Sequence, residues 1–320
     1  EAMALAAAGA VARGSTVVCT LEPCSHHGRT PPCADALVRA GVARVVIGCV
    51  DPLETSRAGG RGRLRAAGIE VVVAEGEEAD ACREQLGPFL TWAVERRPEV
   101  TLKLATSLDG RIATASGESR WITGAPARRL VHRWRAESDA VAVGAGTALA
   151  DDPDLRARDA EGPVRQPARV VFDSAARLPL DSRLVTSAED VPVVVVATES
   201  APEERVRPLT ERGVEVVVVP AEREAGIRAA MSALGEREMQ SLLVEGGAGL
   251  AAALLHAGAV DRVAWFTAPI IIGGTGAPGA VGDPGIDRLA GAPRLARPTI
   301  ERVGEDVLVS GRLRPIPGGG

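Results

Sequence analysis

Cys19-Thr20-Leu21-Glu22-Pro23-Cys24-Ser25-His26-His27-Gly28-Arg29-Thr30-Pro31-Pro32-Cys33 joins an apolar strand, Thr16 to Leu21, to an apolar helix running from Ala34 to Ala40. Two cysteines, two histidines and a Pro/Gly-rich turn meet in this loop. Thiolate and imidazole are ligands that zinc takes, and a catalytic zinc site uses three protein ligands with a fourth position left for water. Cys33 opens the helix after Pro31-Pro32, where free N–H groups and the helix dipole favour a thiolate. Cys24 sits on the loop facing it, so these two are the candidate metal ligands. The competing reading is a pair of buried thiols with a solvated His26-His27 pair. It leaves unexplained the two prolines that set up the helix start. For Cys19, Cys49 and Cys82 packing suffices, since the first two lie in apolar strands and the third on a helix.

Around this loop, composition bounds the rest. The 320 residues are 46% apolar and 25% charged, enough for two or three domains that each bury a core. A net charge of −5 argues against a nucleic-acid or membrane-surface binder. No apolar run approaches the roughly 20 residues that span a bilayer, and no signal peptide is visible. Five cysteines are an odd number in a chain too long to need staples, which suits a reduced, cytoplasmic setting. The chain opens on Glu1 within an alanine-rich helical stretch of about 11 residues, so the natural N-terminus is expected to lie upstream. Lys103 is the only lysine among 37 basic residues.

Strands at 16–21, 44–50 and 69–73 alternate with helices at 34–40, a short one ending at Gly68, and one over 77–95, with Gly59-Gly60-Arg61-Gly62 read as a loop. Such alternation predicts an α/β domain with a mostly parallel sheet. Arg96-Arg97-Pro98-Glu99 breaks the pattern and sets the domain boundary, with domains at 1–97 and 98–316. Beyond it come strands at 100–104, 139–144, 168–173, 192–197, 214–219 and 241–245. Helices at 126–137, 202–212, 223–234 and 248–257 alternate with them, and the tail reads as antiparallel strands (261–267, 298–303, 306–312).

In the second domain, Glu245-Gly246-Gly247-Ala248-Gly249 follows an apolar strand and opens an apolar helix, where backbone N–H groups receive phosphate. Close packing explains such a turn equally well. Arg128, His132 and Arg135 share one helical face suited to a sugar phosphate, and Trp121 offers a flat face to a ring. Ser174 lies at the carboxyl end of a strand, where ligands gather in α/β sheets. A carboxylate ending a buried strand, as Glu245 does, needs a partner or a ligand hydroxyl. One of Asp151 and Asp152 is accounted for by an Asx turn before Pro153. A lone lysine in the first strand of this domain suggests a compact, deprotonatable ammonium, the competing reading being one residue left over from codon drift.

The run T-L-E-P-C-S-H-H-G-R-T-P-P-C resembles the zinc motif of the bifunctional deaminase/reductase family of riboflavin biosynthesis, and nearly the whole chain, to about residue 312, is similar to that family. Lys103-Leu104-Ala105-Thr106-Ser107-Leu108-Asp109-Gly110-Arg111, Gly117 to Thr123 and Val143 to Pro153 resemble its reductase half. The resemblance implies a cytidine-deaminase-like three-layer domain, incomplete at its N-terminus, followed by a dihydrofolate-reductase-like domain. It implies Zn2+ on Cys24 and Cys33, Glu1 as proton shuttle, and a third ligand, a histidine, two positions upstream of Glu1. NADPH contacts would fall on Ala105, Trp121, Thr147, Asp151, Ser174 and Gly247, and substrate contacts on Ser119, Arg135, Leu155, Arg158 and Glu245. Lys103 and Asp151 would act in the reduction, while His26, His27 and Arg29 are open as substrate contacts.

The implied reactions are hydrolytic deamination of a diaminopyrimidinone ribosyl phosphate and NADPH-dependent reduction of its ribosyl group to a ribityl chain. A small-molecule substrate, a homo-oligomer and no nucleic-acid or membrane partner are expected. Two alternatives stay open: a reductase alone, with the first domain a scaffold, and a non-catalytic NADP-binding module.

Overall fold

Runs of β-branched residues become strands here because their stiff side chains fit a pleated, covered surface. The computed structural model describes residues 1–27, 31–53, 59–158 and 165–317. The chain divides into a unit reaching Glu95 and a unit of Arg96–Pro315.

The first unit runs α1 (Ala2–Ala8), a 3-10 turn (Gly9–Ala12), β1 (Thr16–Leu21), α2 (Cys33–Ala40), β2 (Arg44–Cys49), α3 (Gly60–Ala66), β3 (Glu70–Val73), α4 (Gly76–Gln85) and α5 (Gly87–Glu95). The strands pair in parallel in the order β1-β2-β3, with Val18 opposite Val46 and Val46 opposite Val72. Leu37 of α2 and Leu64 of α3 are fully buried with Val45 and Ile47 of β2. The buried, unbroken strand is what a parallel sheet demands.

Two expectations fail in this unit. The stretch Gly59–Gly62, expected as a loop, supplies the start of α3. Buried Glu22 accepts the Arg61 N–H at 2.9 Å and pairs with the Arg61 guanidinium at 2.9 Å, which fixes a glycine-rich segment that has little helical preference of its own. The helix expected over 77–95 is two helices, because Gly87 and Pro88 interrupt it and Pro88 has no N–H to continue the ladder.

The second unit runs β4 (Glu99–Thr106), α6 (Ala125–Glu137), β5 (Ala140–Gly144), α7 (Ala145–Asp151), β6 (Ala168–Phe172), α8 (Arg183–Thr186), β7 (Val193–Thr198), α9 (Glu203–Glu211), β8 (Glu215–Val219), α10 (Arg223–Glu236), β9 (Ser241–Glu245), α11 (Ala248–His256), β10 (Arg262–Thr267), β11 (Ala296–Val303) and β12 (Asp306–Arg312). Their order in one sheet is β11-β12-β10-β4-β9-β5-β6-β7-β8. Seven strands from β10 to β8 are parallel, and β12 and β11 add antiparallel at one edge. The tail is therefore only partly antiparallel, since β10 lies parallel beside β4. Within the sheet, Val263 packs into the core on one face and Phe266 into a cluster on the other, and a free hairpin would leave both in water.

In the charged break Arg96 is exposed, but Arg97, Pro98 and Glu99 are buried. Arg97 forks onto Asp261 through bonds of 2.6 and 2.7 Å, and Asp261 also accepts the Val100 N–H at 2.8 Å. Glu99 is taken by Arg312 of β12. One face of the sheet carries a core around Leu102, Val170, Met231 and Leu242, and the other a core around Val143, Val171, Leu184 and Leu209.

Candidate active site

The parallel strands of the second unit all present their carboxyl ends to one side, and β9 returns between β4 and β5. Such a reversal of strand order opens a crevice beyond the strand ends. A cavity of about 1330 Å³ lies there, larger than one drug-sized molecule requires and roomy enough for a dinucleotide beside a second ligand. All twelve candidate residues of this domain line it: Lys103, Ala105, Ser119, Trp121, Arg135 and Thr147, together with Asp151, Leu155, Arg158, Ser174, Glu245 and Gly247.

At its centre stands a charged cluster. Lys103 of β4 lies directly opposite Glu245 of β9 in register. Arg135 of α6 forks onto Glu245, Nε to Oε1 at 2.5 Å and Nη2 to Oε2 at 2.9 Å, with both side chains largely buried. Burial pushes the Lys103 ammonium below its ordinary value of 10.5; Glu245 pulls the other way, and Arg135 adds to the depression. Burial would raise Glu245, but Arg135 outweighs it and, with Lys103 and His132, holds the carboxyl low. The result is an ionised carboxylate beside an amine that gives up its proton easily.

Two strand-to-helix turns face this cluster. Gly246 and Gly247 adopt φ of 75° and 88°, and Gly247 caps the N-terminus of α11; Gly144 caps that of α7, which carries Thr147. A Cβ on Gly247 would press on the Thr147 hydroxyl at 3.3 Å, in a backbone conformation that side chains rarely adopt. Bare N–H groups at two helix starts suit a pyrophosphate.

The remaining wall is held by local ties. Trp121 is 68% exposed, with the Arg128 guanidinium 4.6 Å and the Arg120 guanidinium 6.0 Å from its ring centroid, so the ring stands at the cavity wall between two cations. Arg120 donates to the Asp151 main-chain carbonyl at 2.8 Å and forms an ion pair with its carboxylate at 3.5 Å. Asp152 and Leu155 sit at positive φ, and Asp152 accepts the Arg183 N–H at 2.9 Å, a bond to a residue distant in sequence in place of the local Asx turn expected of the pair. Asp109 accepts the Ser107 hydroxyl and the N–H groups of Ile272 and Gly273, which hold its carboxyl down at about 2 and tie the Ser107–Arg111 turn to the segment after β10.

Sequence reading missed Asp154, Arg177, Arg183, Thr198 and Arg223, all of which line the cavity. The usable signal was position: Arg177 and Thr198 lie at or just beyond the carboxyl ends of β6 and β7, as Ser174 does. The helices α7 and α8 were also missed, being seven and four residues long.

In the first unit the Cys33 N–H donates to Cys24 Sγ at 3.3 Å, and the Glu1 carboxyl hydrogen-bonds Cys33. The expected low thiol pKa is not found. Burial first, then the hydrogen bond and charge of Glu1 and the adjoining Cys24, push Cys33 up to about 12, which outweighs one helix start. Two sulfurs joined by one hydrogen-bonded turn, with a carboxyl against them, are a donor set that zinc accepts. Among the described residues no group of three or more His, Cys, Asp or Glu side chains is arranged to hold a metal. His26 and His27 are exposed, and Arg29 lies outside the described residues.

Fold and cavity define the class: a deaminase-like α/β domain followed by a dihydrofolate-reductase-like domain. The model of the RibD C-terminal domain matches residues 98–309. The riboflavin biosynthesis protein RibD of Actinobacillus pleuropneumoniae is 41% identical over 298 residues, 92% of this chain and 78% of that protein. A structure of Acinetobacter baumannii RibD superposes with a TM-score of 0.83 at 35% identity, covering 97% of this chain and 83% of that one. The Thermotoga maritima diaminohydroxyphosphoribosylaminopyrimidine deaminase/5-amino-6-(5-phosphoribosylamino)uracil reductase follows at a TM-score of 0.78 and 34% identity, with coverages of 94% and 80%. The chain belongs to the RibD family of riboflavin-biosynthesis proteins. No helix among the described residues is long and apolar enough to cross a membrane.

Proposed function

We propose that the second unit reduces the ribosyl group of 5-amino-6-(5-phosphoribosylamino)uracil with NADPH, and that the first unit carries out the preceding deamination. The observation that supports the reduction most is the Lys103–Glu245–Arg135 cluster facing two glycine-opened helix starts in one cavity. NADPH, when bound, supplies the hydride. Its pyrophosphate fits the Gly247 and Thr147 turns, and Trp121, Ala105, Ser174 and Asp151 line the path it would follow. Arg158, Ser119 and the Leu155 segment offer a cation and polar groups to the substrate's phosphate. Glu245, kept ionised, accepts ribose hydroxyls and holds Arg135 in place. Lys103 donates the proton that the opening sugar oxygen needs, and a depressed pKa makes that transfer easier.

For the first unit, Cys24 and Cys33 are the residues that would hold zinc, whose Lewis acidity supplies a nucleophilic water near neutral pH. Glu1, already hydrogen-bonded at Cys33, moves protons from that water towards departing ammonia. The five free cysteines are in keeping with a reducing cytoplasm. A homo-oligomer completes the reading, and light scattering on the purified chain tests it. The decisive experiment mixes the protein with this substrate and follows NADPH absorbance, with ammonia release and bound zinc measured in parallel. Nucleotide binding without NADPH oxidation would reduce the second unit to a binding module.

A further inference from the structure

Asp154 is a carboxylate with more cations around it than it can neutralise. It lines the cavity beside Leu155, its side chain is 16% exposed, and four guanidinium groups converge on it. Its Oδ2 takes Arg158 Nη2 at 2.7 Å and lies 3.5 Å from Arg183 Nη2, while Oδ1 lies 3.4 Å from Arg156 Nε and 4.0 Å from Arg169 Nη1. The four cations divide by position. Arg169 is fully buried and donates to the Ser187 hydroxyl and to the carbonyls of Ser187 and Val191. Arg156 turns outward to Asp190 at 3.3 Å. Arg158 and Arg183 line the cavity and are half-exposed, and among the described residues their guanidinium groups have no partner besides Asp154.

These ion pairs set four guanidinium groups against two carboxylates, Asp154 and Asp190. Burial first, then the like charge of Arg156, pushes Arg169 down to about 10, so the crowding of cations is felt. The surplus positive charge falls on the cavity side, where a dianion would balance it. Local ties fix its place. The turn holds Arg183 twice, its main chain through Asp152 at 2.9 Å and its side chain through Asp154. Arg135, which forks onto Glu245, also donates through Nη1 to the Arg156 carbonyl at 3.1 Å. One arginine thus links the Lys103–Glu245 pair to the segment that carries Asp154 and Arg158. A pentose 5-phosphate has the same two-ended form, with its phosphate at the opposite end of the sugar from the carbon that takes the hydride.

We propose that Asp154 is a positioning residue, which holds Arg183 beside Arg158 so that Arg183 becomes a second cation on the substrate's phosphate. The inference rests on the reductase reading. A carboxylate that takes one terminal nitrogen of each guanidinium leaves the other nitrogens to the phosphate. It also keeps together two like charges that would otherwise drift apart, so less side-chain freedom is lost on binding.

The test follows NADPH oxidation by the full chain with the 5′-phosphorylated substrate and with its dephosphorylated form. Arg183→Ala is expected to lower kcat/KM for the phosphorylated substrate roughly 10- to 100-fold, chiefly through KM, and for the dephosphorylated one by less than about twofold. Asp154→Asn should lower it roughly 10-fold with the same selectivity, and Asp154→Glu should recover part of the loss by restoring the charge. In all three variants the KM for NADPH should stay within about twofold of the wild type. The sign of the Asp154→Asn effect separates positioning from mere repulsion. If that variant uses the phosphorylated substrate better than the wild type, the carboxylate only repels the phosphate and the proposal is overturned. Equal losses on both substrates, or no loss in Arg183→Ala and Asp154→Asn, overturn it as well and leave the reductase reading intact. Absence of NADPH oxidation by the wild type with either substrate removes both.

Discussion

Lys103 shows how a single side chain can be conspicuous in sequence and still need the structure to give it a task. The sole lysine is conspicuous by composition, but only the register with Glu245 puts it in the charged cluster of the cavity. Because burial lowers its pKa, a reaction that needs its proton should lose rate as pH rises, with a midpoint below 10.5. Lys103→Arg should cut the reduction rate about 100-fold or more and push that alkaline fall upward, since arginine keeps its proton. A variant with full rate and the wild-type pH profile would remove Lys103 from the chemistry. Glu245→Ala leaves the Arg135 guanidinium buried without its counter-charge, which costs about 3–5 kcal/mol and should appear as a lowered melting temperature. Arg177 illustrates the opposite case. In a chain with one lysine among 37 basic residues, a cavity-lining arginine looks like its solvated neighbours, and composition hides it.

Elements were legible where period and punctuation agreed, as in the valine-rich strands and the helix begun at Pro126. They were illegible where tertiary contacts overrode local preference. The glycines of 59–62 read as a loop by propensity, yet Glu22 and the close approach of Pro23 make them a helix start. A Cβ on Gly60 would lie 1.6 Å from the Pro23 carbonyl oxygen, so only glycine fits there. Gly60→Ala must move the turn carrying Cys24 and should cost about 1–3 kcal/mol. It should lower bound zinc and ammonia release and leave NADPH oxidation near the wild-type rate. Equal zinc content in the two proteins would show that the turn absorbs the methyl. The helix start at Cys33 was read correctly as an element but wrongly as an acidifying one, because burial and the Glu1 carboxyl cannot be seen in local sequence.

On the scale of the whole molecule, alternation of strands and helices revealed two α/β units but not the strand order, since nothing local says that β9 and β10 return to flank β4. The site depends on that return. The second unit has its own nine-stranded sheet with cores on both faces, and the Arg97–Asp261 pair closes within it. A chain of residues 96–317 is therefore expected to fold cooperatively and to oxidise NADPH with the reductase substrate, measured by calorimetry and absorbance. An unfolded or inactive product would make the first unit essential to the second.

The partnership of Arg97 with Asp261 spans 164 residues, and β4 finds both of its sheet neighbours only near the far end of the chain. On the ribosome, this interior strand is the first of its sheet to emerge and waits for flanking strands not yet translated. Its apolar side chains Leu102 and Leu104 are buried in a core that needs residues as distant as Leu242 and Val263. Contacts this distant in sequence close slowly. The waiting β4 is thus the natural target for a chaperone and the first point at which overproduction should lead to aggregation.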